Sequence, residues 1–284
     1  MTKTVVMTGA TSGFGVSWLK GIAAQQTHDI YVLARDQHKF QRLLSELPKR
    51  QAQRVHFVQC QLDSFSSIQQ AAQQLKQTID HIDVLINNAG VFSGEQRTES
   101  QDSIELTFAV NHLAPFLLTN LVIDLLDKSP SARIVNTASF QHFPGVFDWE
   151  DLTYQHRKFD AMKAYQQSKL ANVVFTLDLA RQLKPWGITV NCFDPGIVNT
   201  SMTVTSLSPF LKRMYPMLKY LFRTPEKGAE TGLYLSLNDA LSGQTGGYYR
   251  DKKLKRPNKM ATSLEVAQKL WEHSEMLVGH QYSL

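Results

Sequence analysis

The segment Thr8-Gly9-Ala10-Thr11-Ser12-Gly13-Phe14-Gly15 constrains the fold more than any other part of the chain. The apolar run from Thr4 to Met7 before it reads as a buried strand, and Val16 to Ala23 after it reads as a helix. Strand, glycine turn and helix make a βα unit whose glycines give the tight turn and let backbone approach an anion closely. The helix N-terminus adds unpaired N–H groups and the positive end of its dipole, so a diphosphate suits the turn and a dinucleotide is its natural guest. A plain βα turn also uses glycine, so the rest of the chain has to decide.

The pattern continues. Ile30 to Ala34 reads as a second strand, a helix from about Gln37 to Leu47 follows, then a strand at Val55 to Gln59 and a helix at Phe65 to Gln77. Further strands are predicted at Val84 to Ile86, Ala132 to Thr137 and Ile188 to Cys192, separated by long amphipathic stretches over Gln101 to Leu126 and Lys158 to Leu183. Such βαβα alternation predicts a single α/β domain over 1–284, a Rossmann-type doubly wound parallel sheet of about seven strands with helices on both faces.

Composition narrows the classes. No linker, repeat or low-complexity tract interrupts the 284 residues, and 43% apolar content suffices for a large core. Cys60 and Cys192 stand in neither a CxxC pair nor a His cluster, which argues against a disulfide framework or a metal site and fits a reducing, cytoplasmic setting. The first strand leaves no room for a signal peptide. The most apolar stretch, Phe108 to Leu126, is broken by Asn111, His112, Asn120 and Asp124, so no transmembrane segment is expected. The net charge of +5 comes from scattered Lys and Arg, apart from a basic run over Arg250 to Lys259 that reads as a solvated face, with an acidic surface or the cofactor phosphate as its alternative partners, so nucleic acid is not an expected partner.

Candidate site residues fall where this architecture places ligands, at the C-terminal ends of strands. Arg35 follows the second strand, twenty positions beyond Gly15. In a dinucleotide fold that place faces the adenosine ribose, where a guanidinium pairs with the 2′-phosphate of NADP and a carboxylate would accept the 2′-hydroxyl of NAD. An exposed arginine paired with Asp36 is the alternative. Asn88, Ala89 and Gly90 follow the fourth strand, Ser139 lies just past the fifth, and Asn111 sits inside an apolar helical pattern where a buried amide needs partners or a task. Tyr165 and Lys169, four residues apart, share a helix face. A nearby ammonium and the charge of an oxidised nicotinamide favour phenolate, so Lys169 and the bound cofactor are expected to lower the pKa of Tyr165 toward proton transfer near neutrality.

Taken together, TGATSGFG at 8–15, NNAG at 87–90, Asn111, Ser139, YQQSK at 165–169 and PGIVNT at 195–200 resemble the short-chain dehydrogenase/reductase family over nearly the whole chain. The segments LARD at 33–36, GGYYRDKKLKRP at 246–257 and LWEHSEMLVG at 270–279 resemble its retinol-dehydrogenase and WW-domain-oxidoreductase branch. The resemblance implies an NADP-dependent oxidoreductase that interconverts a carbonyl and an alcohol by hydride transfer. In it Tyr165 exchanges the proton, Ser139 holds the substrate oxygen, Lys169 also holds the nicotinamide ribose, and Asn111 holds a water leading to solvent. The implied NADP(H) site comprises Gly9, Thr11, Ser12, Gly13, Phe14, Gly15, Arg35, Gln61, Leu62, Asn88, Ala89, Gly90, Tyr165, Lys169, Pro195, Gly196, Val198 and Thr200.

Two positions depart from family patterns. Gln61 stands where the family usually has an aspartate for the adenine amino group, with Asp63 two positions later; an amide oxygen still accepts that bond. Ala171 replaces the cysteine of protochlorophyllide reductases, which sets that activity aside. The stretch at about 201–224 reads as a helical insert covering the active site. Its Leu207, Phe210, Leu211, Met214, Tyr215, Met217, Leu218, Tyr220, Leu221 and Phe222 are expected to favour a lipophilic substrate, with Phe143, Phe147, Trp149 and Tyr154 as the facing wall. The competing readings of that insert are an ordinary buried helix face, a homo-oligomer contact, or a peripheral contact with lipid. The competing function is an NADP(H)-binding redox sensor with little turnover, against which the retained Tyr165 and Lys169 speak.

Overall fold

The computed structural model describes residues 2–206, 213–215 and 219–282. The short apolar runs become β1 (Lys3–Thr8), β2 (His28–Ala34), β3 (Val55–Gln59), β4 (Val84–Asn87), β5 (Arg133–Thr137) and β6 (Thr189–Asp194), followed by β7 (Gly247–Arg250) and β8 (Lys253–Lys255). They form one sheet in the order β3-β2-β1-β4-β5-β6-β7-β8. Seven strands run parallel, and β8 pairs antiparallel with β7 at the edge. The basic run is therefore part strand, and its exposed lysines keep that edge from pairing further.

Alternation along each strand explains the two cores. Val5, Met7, Ile30, Val32, Val84, Ile86 and Val135 face one side, where Trp18, Leu19 and Ile22 of the helix Gly13–Ala23 pack on them together with Ala229 and Leu235. Val6, Leu33, Val58, Leu85, Ile134 and Val190 face the other side, beneath the helices Phe65–Thr78, Ala114–Leu121, Ala161–Gln182 and Leu264–Val278. A sheet buried on both faces needs such near-continuous apolar runs, which is why these strands lack a polar face. Trp18 is fully buried and meets Phe193 edge-on at 5.3 Å, tying the first helix to the end of β6. Cys60 and Cys192 are both buried and unpaired.

The strand order reverses between β1 and β4, where one connection runs to β2 and the other onward to β5. A crevice opens at such a switch point because the two connections leave in opposite directions. The predicted helix over 101–126 begins instead at Leu106 and contains a wider π turn at Ala109–Leu113, with Ala114 N–H donating to Ala109 O. Pro115 lacks an N–H, so the Asn111 carbonyl has no i+4 donor, and the turn loosens at the candidate residue itself. Glu105 caps this helix from a fully buried position, accepting from Thr107 N and Phe108 N at 2.8 and 2.7 Å.

Candidate active site

Hydrogen bonds between strand ends shape the crevice. Thr8 Oγ1 accepts from Asn88 N at 3.0 Å and from Ala89 N at 3.1 Å, while Asn88 Nδ2 donates to Gly9 O at 2.9 Å. Gly9 has φ +68°, and a Cβ there would lie 2.7 Å from the Ala89 backbone, so this contact between the ends of β1 and β4 requires glycine. Ser12 makes no side-chain cap to the helix Gly13–Ala23, leaving the N–H groups of the first turn facing the crevice without a side-chain acceptor. The cleft has a volume of about 500 Å³ and is lined by Gly9, Thr11, Ser12, Gly13, Phe14 and Gly15 at its centre.

Arg35 and Lys39 line the cleft on the β2 side. Asp36 is turned to the helix behind it, accepting from Lys39 N at 2.9 Å, and no carboxylate pairs with Arg35 among the described residues. Two cations thus border the place that faces a ribose in this architecture, where sequence reasoning found one. Lys39 was readable as the position one helical turn after Arg35. Leu62 and Asp63 also line the cleft, whereas the Gln61 side chain accepts from Gln101 Nε2 at 3.0 Å outside the lining.

At the β4 side Asn111 and Lys169 reach Gly90, which lines the cleft, while Asn111, Ser139, Tyr165 and Lys169 themselves stand behind the lining. A Cβ placed on Gly90 would lie 3.3 Å from Asn111 Oδ1 and 3.6 Å from Lys169 Nζ. The Asn111 amide is engaged by protein on both atoms: Oδ1 accepts from Val91 N at 2.7 Å, and Nδ2 donates to Val91 O and Ser168 Oγ, each at 3.0 Å. Its side chain therefore pins the loop after Gly90 to the helix of Tyr165. At its backbone, the Asn111 carbonyl finds no N–H on Pro115. Lys169, 3% exposed, donates to Thr137 O at 3.1 Å, and its Nζ lies 5.6 Å from the Tyr165 ring centroid. Ser139 accepts from Gln141 N at 3.2 Å in the turn after β5, and Phe92 packs on the Tyr165 ring at 5.6 Å.

Burial dominates the electrostatics here. Desolvation pushes the Tyr165 phenol up to about 12, with the Ser139 hydroxyl pulling it down and the Asp194 carboxylate pushing it up. Desolvation likewise brings the Lys169 ammonium down to about 8, opposed by Asp194. The expected lowering of Tyr165 by Lys169 is therefore not what the chain's own groups produce. The ammonium is itself desolvated and turned to Thr137 O, and the fully buried Asp194 adds negative charge.

Thr200 lines the cleft with Ser201, Met202 and Thr205 from the helix Ser201–Ser206 that opens the expected insert. Pro195, Gly196 and Val198 stand behind Thr200, outside the lining; Gly196 N donates to Asp194 Oδ1 at 2.9 Å, and Val198 bridges to Arg223. Val91, Phe92, Leu106, Val110 and Met202 give the β4 end an apolar wall. The expected facing wall lies elsewhere: Phe147 stacks on Trp149, which packs toward His273 of the C-terminal helix, and Tyr154 is buried under Arg157. Phe143 is 50% exposed beside His142 and Tyr248. Of the insert's apolar residues, Met214 and Tyr215 are partly buried and Tyr220 and Leu221 are exposed, while Leu207, Phe210, Leu211, Met217 and Leu218 lie outside the described residues.

A doubly wound sheet with a glycine turn at its switch point and a cleft along the strand ends defines the class of α/β folds that take dinucleotides. Residues 3–209 match the family described as short chain dehydrogenase. The chain belongs to that family of oxidoreductases. It is 37% identical over 284 residues to retinol dehydrogenase 13 of Homo sapiens, covering 98% of this chain and 85% of the relative. Retinol dehydrogenase 14 of Mus musculus is 36% identical over 289 residues, with 98% and 86% covered. Among solved structures, an uncharacterized protein of Mycobacterium paratuberculosis superposes with a TM-score of 0.78 at 27% identity, covering 99% of this chain and 95% of its own. Among the described residues no helix is long and apolar enough to cross a membrane.

Proposed function

We propose that this protein interconverts a carbonyl and an alcohol on a lipophilic small molecule, with NADP(H) as cofactor and Tyr165 as proton donor and acceptor. The observation that supports the reading is that Asn111 and Lys169 reach Gly90, with the Tyr165 ring beside Lys169 and Ser139, while Gly90, Arg35 and Lys39 line one cleft. The glycine turn from Gly9 to Gly15 suits a diphosphate, Arg35 and Lys39 suit a ribose 2′-phosphate, Leu62 with Asp63 suits the adenine, and Asn88, Ala89, Gly90 and Thr200 complete the cradle. A bound nicotinamide supplies or takes the hydride at the substrate carbon.

The chain's own residues handle the proton. In reduction, Ser139 donates a hydrogen bond to the carbonyl oxygen, and Tyr165 Oη gives its proton to that oxygen as negative charge develops there. The Lys169 ammonium stabilises the phenolate left behind, and the water at the Asn111 carbonyl connects Lys169 to solvent. Oxidation runs the same steps backward. The apolar wall of Val91, Phe92, Leu106, Val110 and Met202 excludes water from the reacting oxygen and favours a lipophilic substrate. Relatives named as retinol dehydrogenases support the same class. NADPH oxidation across a homologous series of straight-chain aldehydes tests it. Each added methylene buried on the wall is expected to raise kcat/KM about fourfold, from ~0.8 kcal/mol per group. A flat series, with sugars or keto acids turned over better, overturns the lipophilic assignment.

A further inference from the structure

His142 lies three residues beyond Ser139, is fully buried, and has no part in the proton transfer proposed above. Its Nδ1 is 2.7 Å from the Ser139 carbonyl oxygen, and its Nε2 is 3.1 Å from the backbone nitrogen of Asn258. A carbonyl oxygen only accepts and an amide N–H only donates, so both contacts fix one neutral tautomer, with the proton on Nδ1 and the lone pair on Nε2. Asn258 grips the same turn a second time, Nδ2 donating to Phe143 O at 2.8 Å, while its Oδ1 accepts from Met260 N at 2.8 Å. Tyr248 of β7 closes over the imidazole at 4.7 Å between ring centroids. The turn that carries Ser139 is thus fastened to a segment more than a hundred residues later in the chain.

We propose that His142 and Asn258 form a positioning pair that sets the orientation of the Ser139 hydroxyl. This rests on the reading of Ser139 as the group that holds the substrate oxygen. Ser139 has extended backbone and its Oγ is already engaged by Gln141 N. Its direction therefore follows the peptide planes on either side, and the plane of the Ser139 carbonyl is held both by the imidazole and by the His142 backbone N–H at 3.1 Å, the imidazole making the shorter bond. Rotation of that plane swings the hydroxyl relative to Tyr165, and a displacement of about 1 Å at a reacting group costs on the order of a hundredfold in rate.

Two isosteres separate this role from simple packing. In His142→Asn the amide nitrogen takes the place of Nδ1 and keeps the bond to Ser139 O, while the contact to Asn258 is lost. In His142→Gln the amide reaches the place of Nε2 and keeps Asn258, while Ser139 O loses its side-chain donor and keeps only the bond from the backbone N–H of residue 142, at 3.1 Å. The expected result is kcat within a fewfold of the unmodified protein for His142→Asn and about a hundredfold lower for His142→Gln, with KM for NADPH unmoved in both. Equal kcat in the two variants overturns the proposal. Should either fail to fold, Asn258→Ala at a partly buried position is expected to lower kcat severalfold with KM for NADPH unchanged, and an unchanged kcat there overturns it too. Ser139→Ala run alongside distinguishes the two levels. If it retains full kcat, the reading of Ser139 itself fails, whereas its loss together with equal Asn and Gln variants overturns only the positioning role of His142.

Discussion

Arg35→Ala is expected to narrow the preference for NADPH over NADH by about tenfold. Arg35 borders the cleft beside Lys39, and Asp36 is turned away into the helix cap, so the guanidinium is free for a ligand phosphate. A charge-assisted hydrogen bond contributes about 1.5–3 kcal/mol, and exposure of this side chain brings solvent screening that favours the lower figure. About 1.4 kcal/mol is a factor of ten in affinity. Lys39, one turn along with its ammonium 4.0 Å from the Asp36 carboxylate, is proposed to share the same phosphate, so the Arg35→Ala/Lys39→Ala double variant should lose more than the single one but less than the sum of two independent contacts. Because both cations are at the surface, the preference should also shrink as salt rises and the screening length falls below ~8 Å. Titration of intrinsic fluorescence with each cofactor at low and high salt reads all three effects. Equal affinity of the unmodified protein for NADPH and NADH, or a parallel fall in NADH affinity in Arg35→Ala, would refute the assignment.

Two pH-dependences follow from burial. Burial brings the Lys169 ammonium down to about 8, so carbonyl reduction by the proposed route through Tyr165 should hold its rate below that pH and lose it above. Alcohol oxidation should move the other way, and a kcat profile flat from pH 6 to 10 in both directions would contradict this. His112 is fully buried with Nε2 2.9 Å from Ser274 Oγ, and desolvation holds its pKa at about 3 against an ordinary 6.5. Between these values only the unfolded chain takes up the proton, so stability falls as pH falls, by at most about 1.4 kcal/mol per unit. Urea midpoints from pH 7 to 4 should show that slope, and His112→Phe should lack its share; identical slopes would refute it.

Much of the architecture was legible because each inner strand is a short apolar run with both faces buried, and each run ends where small or polar residues begin. Strand β8 was not, because Lys253, Leu254 and Lys255 are all exposed and carry no periodic signal; what makes them a strand is pairing with Tyr248, Tyr249 and Arg250. The π turn was hidden for a related reason: an unbroken apolar pattern says helix, and only the missing N–H of Pro115 hints that its hydrogen bonds shift at Asn111. Tyr165, Lys169, Ser139 and Asn111 could be named from spacing and resemblance. Their tertiary partners could not. Gln61 is taken up by Gln101, forty residues away, and Asn111 by Val91 and Ser168. The upward shift that the chain's own groups give Tyr165 was not legible either, since it depends on how much water burial removes and on Asp194, a carboxylate that reaches the site only through the fold. The aromatic residues from Phe143 to Tyr154 were read as a pocket wall, yet those at 147 and 149 serve to seat the C-terminal helix.

The proposed proton-transfer role of Tyr165 is tested most directly by Tyr165→Phe, which removes one oxygen and leaves the ring against Phe92 and the residues lining the cleft in place. NADPH consumption with a lipophilic aldehyde should fall by a factor on the order of a hundred to ten thousand, as for loss of a positioned acid. NADPH affinity and the unfolding midpoint should stay close to those of the unmodified protein. A Tyr165→Phe protein that reduces the aldehyde at a rate comparable to the unmodified one would show that the proton comes from elsewhere.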